Sequence, residues 1–171
     1  MMRGAGLLVA AIALALAGAM GLGMGAGAGA REGRQDEAEA AGVRFVAVDI
    51  TIDSGEAALG AYQFEYVGSA AGGSVKLVGV EGGEGGEAAP FSGAPHYDPR
   101  ALSGGRVIVG AFSTAQSLPR GAVRVARLHL AVEGAEEDAG GVEHAITLMT
   151  AGDGAGTPID ATVRYQQVEA P

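Results

Sequence analysis

The stretch Val46-Ala47-Val48-Asp49-Ile50-Thr51-Ile52-Asp53 places a β-branched apolar residue at every second position, with small or polar residues between. A period of two puts Val46, Val48, Ile50 and Ile52 on one face of a strand and Ala47, Asp49, Thr51 and Asp53 on the other. A helix of period 3.6 would scatter the same four apolar residues around its surface. The stretch therefore reads as a strand with one buried and one wet face, ended by Ser54-Gly55.

The same alternation recurs on the C-terminal side. In residues 59–67, Tyr62, Phe64 and Tyr66 share a parity opposite Gln63 and Glu65. These rings are expected in the core, because burying them withdraws a large apolar area from water. Residues 75–80 and 106–114 are apolar on both parities, which suits central strands covered on both faces or a strand beneath a loop. Within residues 122–133 the phase changes: Val123 and Val125 share one parity, and Leu128, Leu130 and Val132 take the other. A bulge near Ala126 reconciles the two halves, and only with that bulge do Arg124 and Arg127 reach the same face. Residues 142–150 and 159–168 complete the set, the latter with Ile159, Ala161, Val163 and Tyr165 inward. Seven or more strands without crossover helices define an antiparallel, all-β sandwich.

Composition agrees with one folded domain. The 171 residues are 48% hydrophobic and 18% charged, which permits a core. The 31 glycines and 6 prolines supply many turns. A net charge of −9 works against nucleic acid and anionic lipid as partners. The absence of cysteine excludes disulfides, thiolate metal sites, cysteine nucleophiles and an acylated lipoprotein cysteine.

The first 30 residues read as a targeting segment. Arg3 gives a positive start, residues 7–20 are an apolar run, and Ala28-Gly29-Ala30 offers a small-x-small cleavage site. Residues 1–30 are thus a signal peptide or, if uncleaved, a membrane anchor and the only membrane contact. Residues 31–42 form an acidic linker, and residues 43–171 form the sandwich domain. A secreted or cell-envelope location follows.

The ordered pattern Leu59-Gly60-Ala61-Tyr62-Gln63-Phe64-Glu65-Tyr66, Val75-Lys76-Leu77-Val78-Gly79-Val80-Glu81, Arg106-Val107-Ile108-Val109-Gly110-Ala111-Phe112 and residues 121–132 resembles the cohesin domain of the cohesin and carbohydrate-binding-module superfamily. The likeness covers residues 43–168 and lies in apolar positions and turns. It implies a jelly-roll sandwich of about nine strands that binds an extracellular, dockerin-like protein on one sheet face without catalysing a reaction. The superfamily also implies an alternative, a module for soluble glycans, and a structural envelope protein is a third reading. No cofactor is expected.

The search for chemistry supports binding over catalysis. There is no Gly-x-Ser-x-Gly elbow, His-Glu-x-x-His or Walker loop. His96, His129 and His144 fall on a loop and two strands; His129 is expected on a wet face and His144 at the core edge with one nitrogen satisfied. Glu133, Glu136, Glu137 and Asp138 lack the alternating spacing of a calcium loop, and Asp153-Gly154-Ala155-Gly156 reads as a plain hairpin loop. With no tryptophan, stacking on crystalline cellulose is disfavoured. The long connection at residues 81–105 is expected to pack its second half onto the sandwich, leaving Tyr97 as the exposed ring, followed by Asp98. Arg106, Arg120, Arg124 and Arg127 concentrate positive charge in an acidic chain and can grip a carboxylate in bidentate fashion, with cross-strand pairing as the structural alternative. Tyr97, Asp98, Arg106 and Arg124 are therefore the candidate binding residues.

Overall fold

The computed structural model describes residues 42–85, 89–134 and 141–169. The expected leader at 1–30 and all of the linker except Gly42 lie outside these residues. Among the described residues no helix is long and apolar enough to cross a membrane.

The strands are β1 (Val43–Asp53), β2 (Ala61–Ala70), β3 (Ser74–Gly82), β4 (His96–Tyr97), β5 (Arg106–Phe112), β6 (Ala122–Glu133), β7 (Val142–Gly152) and β8 (Thr162–Glu169), with a short 3-10 helix at Pro99–Ser103. Eight strands among the described residues correct the expectation of about nine. Nothing in residues 43–53 breaks the ladder, neither glycine nor proline, so they stay one strand of 11 residues. The long connection begins with the last two residues of β3, and beyond them only His96 and Tyr97 among its described residues pair as a strand.

Two antiparallel four-stranded sheets result, in the orders β3-β6-β1-β8 and β4-β5-β2-β7. The pairs β1·β8, β2·β7, β3·β6 and β4·β5 make the chain one long two-stranded ribbon, doubled back at the 3-10 helix and laid alternately in the two sheets. The pairs β1·β6 and β2·β5 then join neighbouring turns of the ribbon. The four strands in these two pairs are the central ones, and they carry most of the core.

Period-two burial is followed closely there. Val46, Val48, Ile50 and Ile52 from β1 meet Tyr62, Phe64 and Tyr66 from β2 in one core cluster with Val107, Val109, Leu128 and Leu130. Full burial of such side chains contributes about 1.5–3 kcal/mol each. The edges depart from the expectation. β3 is an edge strand and not a central one: Val75, Leu77 and Val80 point inward, while Val78, at a register slip, is 49% exposed. The long connection lies along that edge, with the Leu77 N–H donating to the Gly104 carbonyl at 2.9 Å. Tyr165, expected inward, is 42% exposed because β8 has no neighbour beyond it in the sheet to cover the ring.

The inferred bulge is present. Ile50 pairs with Ala126 and Thr51 with Arg124, so Val125 is the extra residue. Its side chain and that of Ala126 are both fully buried. The carbonyl of Val125 accepts a 2.9 Å hydrogen bond from the Tyr62 hydroxyl, which crosses from the opposite sheet. Desolvation pushes the Tyr62 pKa up, so the hydroxyl remains a donor at any ordinary pH.

Tyr62→Phe removes this donor and leaves a buried carbonyl unsatisfied. The expected loss is about 1–3 kcal/mol of stability, read as a lower denaturant midpoint with an unchanged m-value.

Candidate functional site

The outer face of β4-β5-β2-β7 forms an open groove of about 960 Å³. Its floor is Gly110, paired with Gln63 on one side and His96 on the other. The nearest atoms to a β-carbon there would be the Tyr62 carbonyl oxygen at 3.3 Å and the Gln63 side chain, so glycine leaves the floor low between its flanking side chains. One wall is built by His96 and Phe112, whose rings lie nearly parallel at 14° with centroids 6.3 Å apart. Phe112 is 69% exposed. At the other end Arg106 is held by Glu65 from β2, its Nη2 lying 2.5 Å from Oε1.

Asp98 caps the 3-10 helix: its carboxylate accepts the Arg100 N–H at 2.9 Å, and Pro99 occupies the first turn. This local order fixes Tyr97 opposite Val109, on the inward parity of β4. Tyr97 is accordingly half-buried against the core, a correction to its expected role as the exposed ring. Within the groove that role belongs to Phe112, while Phe45 on β1 is a further exposed ring outside it. Residues 106–114 read as apolar on both faces, but Arg106 shares the parity of Ile108, Gly110 and Phe112, and a charged residue at that parity marks the wet side.

Tyr97, Asp98 and Arg106 all line the groove. Arg124 does not. The bulge turns it to the outer face of the first sheet, where Arg127 clasps Asp49 through bonds of 2.6 Å and 2.9 Å and Arg124 Nη1 stands 3.7 Å from the same carboxylate. The hydrogen bond from Arg127 holds Asp49 below the usual carboxylate range, against the opposing effect of partial burial. Glu84 accepts the Arg124 backbone N–H at 3.3 Å, and His129 Nε2 lies 3.0 Å from Glu81. This is the cross-strand pairing anticipated as the structural alternative, with Asp49 facing both guanidinium groups.

His144 exceeds its expectation, since both nitrogens are engaged: Nδ1 is 2.6 Å from the Tyr66 hydroxyl and Nε2 is 3.1 Å from Gln167 Oε1. Asp153 closes its own hairpin by accepting the N–H groups of Ala155 and Thr157. Those bonds, led by the one from Thr157, lower its pKa. Glu133 pairs with Lys76, whereas Glu136, Glu137 and Asp138 lie outside the described residues. Among the described residues no three His, Asp or Glu side chains converge as a metal site. The groove can therefore hold a ligand by apolar contact with the Phe112 ring and a few polar groups at its rim. Comparison with protein-family models, curated proteins and solved structures found no match to this chain.

Because the pKa of Asp49 is lowered on folding, its stabilisation is complete above the unfolded value near 4 and disappears as pH falls through the folded value. Asp49→Asn should cost about 1–3 kcal/mol at neutral pH. The gap between variant and parent, measured by urea unfolding, should close as pH is lowered from about 5 towards 2.

Proposed function

We propose that this chain is an exported, non-catalytic recognition module of cohesin-like character, which adheres to a partner protein through the outer face of β4-β5-β2-β7. The carrying observation is the groove over Gly110, where an exposed Phe112 stands beside a floor that carries no side chain. An antiparallel sheet is a stiff platform, and binding energy at such surfaces concentrates in a few aromatic anchors received by pockets. Phe112 is the anchor offered by this chain, and Gly110 receives one from the partner.

The ribbon pairs β1·β8, β2·β7, β3·β6 and β4·β5 support a jelly-roll winding, since each is a step of one doubled strand wrapped around the barrel axis. Export rests on the leader-like order of residues 3–30. A dockerin-like extracellular protein is the partner this reading favours. A soluble glycan is the second reading, favoured by the near-parallel rings of His96 and Phe112, which offer a flat apolar surface beside the polar Gln63.

The protein used as bait against an extracellular fraction, in parallel with a glycan array, separates these readings. A defined protein partner retained by the parent and weakened at least about tenfold by Phe112→Ala would support adhesion. Glycan binding alone, lost in the same variant, would replace it with the second reading. Saturable binding unaffected by Phe112→Ala would remove the groove from consideration.

A further inference from the structure

Unpaired sheet edges invite other strands, and folded proteins blunt them with bulges, short strands, charges or covering loops. The two sides of this sandwich are treated differently. On one side β4 is two residues long, and β3 is slipped at Val78 and bonded to the long connection through Leu77 and Gly104. On the other side stands β7, an edge strand of 11 residues. Its pairing with β2 slips only at Met149, so Val142–Leu148 is a run in unbroken register with β2. That run contains no proline, lysine or arginine. Glu143, Ala145 and Thr147 are exposed, and Val142, His144, Ile146 and Leu148 are half-buried. Among the described residues, no backbone hydrogen bond other than those within the strand ladder engages Val142–Leu148.

We propose that this edge pairs with the same edge of a second copy, antiparallel about a two-fold axis through Ala145, joining the two β4-β5-β2-β7 sheets into one eight-stranded sheet. The sequence is self-complementary in that register. A two-fold axis perpendicular to a sheet pairs residues of equal parity. Glu143 then faces Thr147, His144 faces Ile146 and Val142 faces Leu148, with the smallest side chain, Ala145, facing itself at the axis. No like charges meet, and the apolar residues left half-covered at the edge acquire neighbours. The same symmetry keeps both outer faces on one side of the joined sheet, so two grooves open in the same direction and a partner with repeated sites is held at both.

Because the chain has no cysteine, Ala145→Cys introduces a unique thiol. In the proposed dimer the two Cα atoms at position 145 are about 4.5–5.5 Å apart, a separation a disulfide spans. Mild oxidation of the dilute full-length protein should yield a disulfide-linked dimer faster than does Ser117→Cys, placed in an exposed loop. Since Thr147 faces Glu143 of the other copy, adding Thr147→Glu should slow cross-linking several-fold, whereas Thr147→Lys should preserve or accelerate it. Both positions are exposed, and an unchanged far-ultraviolet dichroism spectrum checks that each variant folds. Cross-linking no faster than that of Ser117→Cys would overturn the proposal, and equal slowing by glutamate and lysine would overturn the register. A thiol at position 145 shielded from alkylation in a chain that stays monomeric would show that a different strand covers the edge, and self-pairing would fall.

Discussion

The hydrogen bond from the Tyr62 hydroxyl to the Val125 carbonyl ties the two sheets together at the bulge in the β1·β6 pair. A bulge in a buried strand leaves a backbone group turned out of the ladder, and such a group is costly unless a partner meets it. Tyr62 supplies that partner while its ring packs between Phe64, at a centroid distance of 5.9 Å, and Phe91, at 5.2 Å. With the bulge held, the inward residues of β6 change parity and both halves of the strand are buried. The outward residues change parity with them, so Arg124 and Arg127 converge on Asp49. The bulge thus sets the composition of a core on one side of β6 and of a charge cluster on the other, and one phenol bonds to it.

The two outer faces consequently differ in what they have left to offer. On the first sheet, Asp49, Arg124 and Arg127 satisfy one another, Lys76 is matched by Glu133, and Glu81 lies against His129. A partner docking there would have to break pairs already made, and desolvating them costs more than a rim contact returns. On the second sheet the floor is glycine, Phe112 is exposed and Arg106 is paired with Glu65, while Asp98 and Arg100 stand at the rim. Covering Gly110 and Phe112 displaces water from apolar atoms, with the charged groups left at the rim.

Much of the architecture is legible in the sequence because the central strands obey a strict period of two, and the phase change between Val125 and Leu128 marks the bulge. What the pattern does not supply is order within a sheet. β3 reads as apolar on both parities, yet it lies at an edge, because Val78 falls at a slip and a loop takes the remaining side. The candidate site is half legible for the same reason. Tyr97, Asp98 and Arg106 meet in the groove because the proline after Asp98 and the cap it makes fix the local path. Phe112 is hidden in the pattern, since an apolar residue in an apolar strand gives no sign of facing water unless its parity is compared with that of Arg106. Arg124 is separable from the others only through the consequence of the bulge for parity.

A long connection would ordinarily be too mobile to form the wall of a groove, and Phe91 pins the segment 89–105. Phe91 alone among the described non-glycine residues has a left-handed backbone, at φ 67°. That conformation costs roughly 1–2 kcal/mol. Burial of the ring against Tyr62 returns about 1.5–3 kcal/mol, and the carbonyl of Phe91 accepts the Gly83 N–H at 2.6 Å. The close passage is possible because Gly82 carries no side chain; a β-carbon there would collide with the Ser92 carbonyl. With the strained residue pinned, the chain leaves it in a fixed direction, pairs His96 with Gly110 and starts the 3-10 helix at Asp98. Two paired residues would be a weak strand by themselves. Held from upstream by Phe91 and from downstream by the Asp98 cap, they set His96 alongside Phe112, so the shape of the groove rests on the same tyrosine that secures the bulge.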